Sequence, residues 1–207
     1  YMKSSKKVIL IGTEEDIIFE LENSGHKIVG YFGNKKKHPL RYLGKIDDIK
    51  KYFKTNSQVK ICIAMGPLKI RKYLLNQHKS KLLTYVSKKS IVSRLAKIKQ
   101  GAFIQNSCFV GNHVQIGAAC KINVGVKIHH NSTIGSFSDL APSSTVLGSV
   151  NVGSNCYIGA GTILREKIKI SNDIMTGINS AVVKNLTKKG LYVGIPAKRV
   201  KSSYKRP

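Results

Sequence analysis

Residues 104–133 read IQNSCF, VGNHVQ, IGAACK, INVGVK, IHHNST, five consecutive six-residue units that each open on an aliphatic side chain. The phase extends in both directions. Stepping by six from Val86 to Val182 meets an aliphatic residue at sixteen of seventeen positions, Thr176 being the exception, with no insertion on the way. The residue four places further on is small or apolar in most units, as at Ala102, Cys108, Cys120, Ser132, Ser138, Ser144, Cys156 and Thr162. The residue just after the aliphatic is often glycine, as at Gly111, Gly117, Gly135, Gly153, Gly159 and Gly177. A period of six fits neither an amphipathic helix nor the alternation of an ordinary strand. Hexapeptide periods mark a parallel β-helix, whose coils stack one on the next. One aliphatic residue per unit then points into a prism and the small residue fills a corner. Glycine serves the turn, by positive φ or by close approach.

The same phase accounts for three of the four cysteines. Cys108, Cys120 and Cys156 take the small inward position, and no cysteine belongs to a CxxC pair or has a histidine at zinc-ligand spacing. They read as core residues, and no metal is expected.

Residues 6–80 carry a different pattern. KKVILIG reads as a buried strand, EEDIIFELENSG as an amphipathic helix closing on Gly25, and HKIVGYFG as a second strand. DDIKKYFKTN reads as a helix, QVKICIAMG as a third strand, and PLKIRKYLLNQHKS as a helix opened by Pro67. Alternating strands and helices argue for a small parallel α/β sheet. The expected fold is therefore a Rossmann-like α/β domain over residues 1–84, then a left-handed parallel β-helix over residues 85–207 ending in a basic tail. Loops at Gly12 and Thr13, at Asn34 and Lys35, and at Gly66 would gather along one sheet edge, where such sheets bind ligands. The first of them lacks the G-x-G-x-x-G pattern of a phosphate-binding loop.

The charge is strongly basic, 36 Lys+Arg against 10 Asp+Glu, and seven of the ten acids precede residue 49. Such a balance suits an anionic partner or reflects a lysine-rich composition. The basic residues are scattered and not interleaved with aromatics, so nucleic acid is not expected as a partner. No apolar run approaches a membrane span, and VILIG is too short for a signal-peptide core, which makes a cytoplasmic protein the default expectation. Tyr1 ahead of Met2 reads as a tag remnant.

An α/β unit of this size, an unbroken hexapeptide helix and a terminal VGIPAKRV together resemble the bacterial sugar acetyltransferases. These act on sialic-acid-type sugars or on nucleotide-linked amino sugars of surface glycans. The resemblance covers nearly the whole chain and implies a homotrimer, with acetyl-CoA held between subunits and the sugar held partly by the N-terminal domain. In that family a unit of the form Ile-x-His-Asp/Glu-x-x, followed by Ile-Gly, carries the general base and its acidic partner. The phase aligns Ile128-His129-His130-Asn131-Ser132-Thr133, so the resemblance gives the base to His130 and puts Asn131 in the acidic place. Gly148, 18 residues later, stacks one coil above and matches the family glycine whose N–H faces the thioester oxygen. Asn123 matches a family asparagine near the acceptor. Gly159, Gly161 and Gly177 match a groove whose backbone N–H groups line the coenzyme's pantetheine arm. Pro196, Lys198 and Arg199 match the closing segment, where basic groups meet the coenzyme's phosphates.

Three departures qualify the resemblance. Asn131 carries no charge to stabilise an imidazolium, although its amide oxygen can accept from His130 Nδ1–H. The first loop, Gly12-Thr13-Glu14-Glu15-Asp16, is acidic where the family loop is glycine-rich. The acidic pair often found after the second strand is replaced by Gly33-Asn34, followed by three lysines. The expected reaction is acetyl-CoA-dependent acetylation of an amino group on a nucleotide-linked sugar. The alternatives are O-acetylation of a sialic-acid-like sugar and a catalytically impaired family member with a structural or regulatory role. A zinc-dependent carbonic anhydrase on the same β-helix is disfavoured, because His113, His129 and His130 lack the spacing of a three-histidine site.

Overall fold

Val8, Ile9 and Leu10 have no solvent exposure in β1 (Lys7–Ile11), because this strand lies inside a four-stranded parallel sheet. The computed structural model describes residues 6–63 and 67–200, and the chain divides into two units between Thr84 and Tyr85. In the first unit β1 is followed by α1 (Glu15–Asn23), β2 (Lys27–Phe32), β3 (Tyr42–Gly44), α2 (Ile49–Thr55), β4 (Lys60–Cys62) and α3 (Leu68–Gln77), in sheet order β3-β2-β1-β4. α1 buries Ile17, Ile18 and Leu21 and stops where Gly25 adopts φ +80°. Pro67 caps α3, where its fixed φ suits a helix start. The short β3 was not anticipated. Its three residues are all half-buried and show no alternation that would mark a strand. Gly66 lies outside the described residues.

The second unit is a left-handed parallel β-helix. Its two-residue strands stack in three parallel sheets, each pairing with the strand 18 residues on; Ile128 sits between Val110 and Val146. The inward aliphatics from Ile104 to Ile170 are at most 1% exposed. Val86, in the first coil, is 36% exposed, because no coil of this unit lies beneath it.

The corners revise the expected role of glycine. The residue just after the aliphatic does not take positive φ at Gly117 or Gly135; a Cβ there would collide with the backbone of the next coil. Left-handed φ falls two places later, where non-glycine residues from Ser107 to Asn179 hold values of 50–63° and Gly125 and Gly161 hold 71° and 66°. Close approach, not φ, therefore requires the glycines just after the aliphatic.

The small inward residues also do more than fill space. Cys120 Sγ donates to Gly135 O at 3.1 Å, Ser138 Oγ to Gly153 O at 2.8 Å and Cys156 Sγ to Ser171 O at 3.1 Å. Ser138 Oγ also accepts the Cys156 N–H at 3.0 Å. Serine and cysteine are interchangeable here because both are small and both can donate to a corner carbonyl. All four cysteines are buried, and none forms a disulfide.

The six-residue phase breaks after Val182, but the coil continues. Leu186 is buried and bridges Ile170, and Gly190–Val193 pairs in parallel with Ile174–Thr176. Lys198–Val200 then returns antiparallel, and Tyr192 and Ala197 cap the apolar interior.

Candidate active site

His130 and Gly148 share one edge of the prism. His129, His130 and Asn131 form the corner after the strand Lys127–Ile128, and Leu147, Gly148 and Ser149 form the same corner one coil above. The imidazole of His130 lies across the Gly148 Cα: a Cβ there would come within 2.7 Å of Cε1 and 2.8 Å of Nε2. Only glycine leaves the ring room in this position. The Gly148 N–H takes no backbone acceptor among the described residues. On the other side Gly111 lets the coils close up, since a Cβ on it would sit 3.0 Å from His130 N. His130 is exposed, whereas His129 is half-buried with its ring centroid 5.6 Å from that of Phe109. The two histidines have different surroundings.

Beneath His130 lies a cleft of about 390 Å³, with Ile91, Phe109 and Val110 as apolar walls and Ser93 and Asn112 as polar groups. Of the residues lining this cleft, only His130 was expected as a site residue. Its outward walls, Ile91 and Phe109, are strand partners on adjacent coils, at positions the aliphatic phase does not mark.

Asn131 sits in the left-handed region, φ 59°, a conformation asparagine tolerates better than most side chains. Its Nδ2 is 3.2 Å from His130 Nδ1. The amide nitrogen thus stands where the sequence led us to expect the oxygen. With the amide donating, His130 Nδ1 is an acceptor and the ring proton sits on Nε2. A half-turn of the carboxamide presents Oδ1, moves the proton to Nδ1 and frees Nε2 to accept. A carboxylate at this position could only accept.

Asn123, Gly159, Gly161 and Gly177 occupy a different edge, the corner after the sheet strands Lys121–Ile122 and Tyr157–Ile158. Asn123 is 9% exposed, and its Nδ2 donates to Leu140 O at 2.6 Å. Nearby Lys121 is buried, which pushes its amine pKa down; Asp139, its strand partner one coil up, opposes the shift. The expected glycine N–H groups are already engaged. Gly159 N donates to Thr176 Oγ1 at 2.9 Å, Gly161 N to Pro142 O at 3.0 Å and Gly177 N to Tyr192 O at 2.8 Å. Bonds between successive coils consume every donor at these two corner positions. The N–H groups of Ala160 and Ile178, in the hexad place that Gly148 holds, take no backbone acceptor among the described residues.

The closing segment packs on this second edge: Ala181 N donates to Gly194 O at 3.1 Å and Ala197 N to Ala181 O at 2.8 Å. Pro196 is exposed there, next to Ile195 at 78% exposure. Lys198 and Arg199 are consecutive on one strand and leave it on opposite faces. Arg199 Nε donates to Lys189 O at 3.0 Å, so part of its fork is already engaged. In the first unit Gly12 and Thr13 end β1 beside the end of β2, Gly12 N donating to Phe32 O at 2.9 Å, while Asn34 and Lys35 are exposed. Among the described residues no group of three or more His, Cys, Asp or Glu side chains could hold a metal ion.

Solved proteins share this architecture. The acetyltransferase domain of PglB from Neisseria gonorrhoeae superposes with a TM-score of 0.85 at 17% identity, covering 95% of this chain and 100% of that one. PerB from Caulobacter crescentus, solved with CoA and GDP-perosamine, gives 0.83 at 21% identity over 94% of this chain and 97% of that one. Its fold is that of the sugar N-acetyltransferases. In sequence, 68 residues are 31% identical to the UDP-3-O-acylglucosamine N-acyltransferase of Bordetella pertussis, covering 33% of this chain. The match spans about a fifth of that enzyme's length, 19%. No protein-family model matches the chain. No helix among the described residues is long and apolar enough to cross a membrane.

Proposed function

We propose that this protein transfers an acetyl group from acetyl-CoA to the amino group of a nucleotide-linked sugar. One observation carries the reading: the His130 ring lies over Gly148, whose N–H has no backbone acceptor among the described residues. A base and an oxyanion donor thus face the same small space. With the Asn131 carboxamide turned to present Oδ1 to Nδ1–H, the amine attacks the thioester carbon and His130 Nε2 takes the proton that the nitrogen sheds. Gly148 N–H stabilises the tetrahedral oxyanion. The C–S bond then breaks, the thiolate leaves, and the proton held by His130 returns to sulfur. Fold likeness to PerB, whose crystals hold CoA and a nucleotide-linked amino sugar, supports the substrate class. Asn131 supports an amine acceptor over a hydroxyl, because an amide activates the imidazole less than a carboxylate would.

The candidate residues lie on two edges of one prism, His130 with Gly148 and Asn123 with the closing segment. Copies of the chain packed edge to edge in a closed trimer would join the two sets, which supports a homotrimer with its sites between subunits. In that reading the pantetheine arm lies along the second edge, takes donors from Ala160 and Ile178 and covers the exposed Ile178 and Ile195.

His130→Ala tests the reading. Turnover with acetyl-CoA and a nucleotide-linked amino sugar should fall by at least ~10², with acetyl-CoA affinity little changed. An unchanged rate removes His130 as the base, and inactivity of the wild type towards all amino sugars removes the acceptor class.

A further inference from the structure

Lys35, Lys36 and Lys37 stand exposed at the carboxyl edge of the N-terminal sheet, just past β2. Three adjacent ammonium groups repel one another, yet this loop is tied down from beneath. Tyr31 Oη accepts the Lys36 N–H at 3.0 Å and donates to the Lys36 carbonyl at 3.1 Å, holding both backbone groups of the middle lysine. Tyr31 is 1% exposed and packs against the rings of Tyr42 and His38. The Tyr42 hydroxyl donates to Gly33 O at 3.3 Å, where the loop begins. His38 fastens the far end. Its Nδ1 accepts the Leu40 N–H at 3.0 Å, so the proton sits on Nε2, which donates to Glu15 Oε1 at 2.9 Å. Glu15 opens α1 and is one of the three acids of the first loop, so this bond holds a repulsive carboxylate on the histidine.

We propose that Lys35–Lys37 recognise the phosphate groups of the acceptor's nucleotide, and that Tyr31 and His38 are positioning residues for that contact. Open sheets of this kind bind ligands outside the carboxyl ends of their strands. Just past β2 that edge holds Gly33 and Asn34 and then the three lysines. A phosphoanhydride offers charge on two adjacent groups, which suits three neighbouring ammonium groups better than the single carboxylate of an acidic sugar. The inference rests on the acceptor class proposed above, and its test needs no acetyl transfer.

Calorimetry on the intact chain with uridine diphosphate, guanosine diphosphate and inorganic pyrophosphate reads the site directly. The wild type should bind a nucleoside diphosphate. Tyr31→Phe, which deletes two hydrogen bonds and little volume, should weaken binding by about tenfold, and His38→Ala should do likewise. The exposed pair Lys35→Ala/Lys37→Ala should weaken it further without touching the core. Lys7→Ala, at the opposite end of β1, should change nothing. In turnover, Tyr31→Phe should raise KM for the nucleotide-linked sugar and leave KM for acetyl-CoA and for the unlinked amino sugar in place. The inference is overturned if the lysine pair binds diphosphate like wild type, if Lys7→Ala weakens binding equally, or if a carboxylate sugar binds more tightly than the diphosphates. Diphosphate binding without acetyl transfer would keep this inference and sink the enzymatic reading.

Discussion

Asn131 does two jobs with conflicting demands. As a corner residue at φ 59° it must tolerate left-handed backbone, and as the neighbour of His130 it sets the imidazole proton. Aspartate satisfies the first demand about as well and meets the second with a charge. Asn131→Asp should therefore keep the fold and put a carboxylate beside the imidazolium that forms on His130 during transfer. Turnover with a nucleotide-linked amino sugar should rise as the base strengthens, with KM for acetyl-CoA in place. A kcat unchanged by this substitution would separate Asn131 from the proton transfer.

At the scale of the coil, the inner corner ladder is a source of stability that a count of aliphatic contacts overlooks. Ser138 is fully buried and satisfies both the Gly153 carbonyl and the Cys156 N–H. Ser138→Ala would leave both groups buried without a partner, a loss of about 1–3 kcal/mol, to be read from denaturant unfolding. Cys156→Ser should be close to neutral, because the hydroxyl can make the same bond to Ser171 O. If the two substitutions cost the same, the ladder is packing alone. The six-residue phase made the inward ladder, the core cysteines and the pairing of His130 with Gly148 legible beforehand, since stacking follows from chain arithmetic. It could not reveal that the Gly159, Gly161 and Gly177 N–H groups are consumed between coils. Hydrogen-bond partners depend on the pitch and tilt of each corner, not on residue type.

At the scale of the whole molecule, the two-edge arrangement makes a sharp prediction about assembly. His130→Ala and Ile178→Glu damage opposite edges of the prism, and each variant alone should be inactive. Copies unfolded together and refolded as a mixture should regain about a quarter of wild-type activity, since half of each edge population is intact and a site needs one of each. No recovery would place the whole site within one chain, and a monomer by light scattering would remove the trimer.

Period and composition were enough to settle the β-helix, the α/β unit ahead of it and the register that separates His130 from His129, because these depend on local periodicity and backbone sterics. Folding in space added what periodicity cannot encode. It engaged the Gly159, Gly161 and Gly177 N–H groups between coils, directed the Asn131 amide nitrogen at the imidazole, and tied the lysine loop to Tyr31 and His38. Each of these joins groups through corner or side-chain geometry, and single hydrogen bonds leave no period in a sequence.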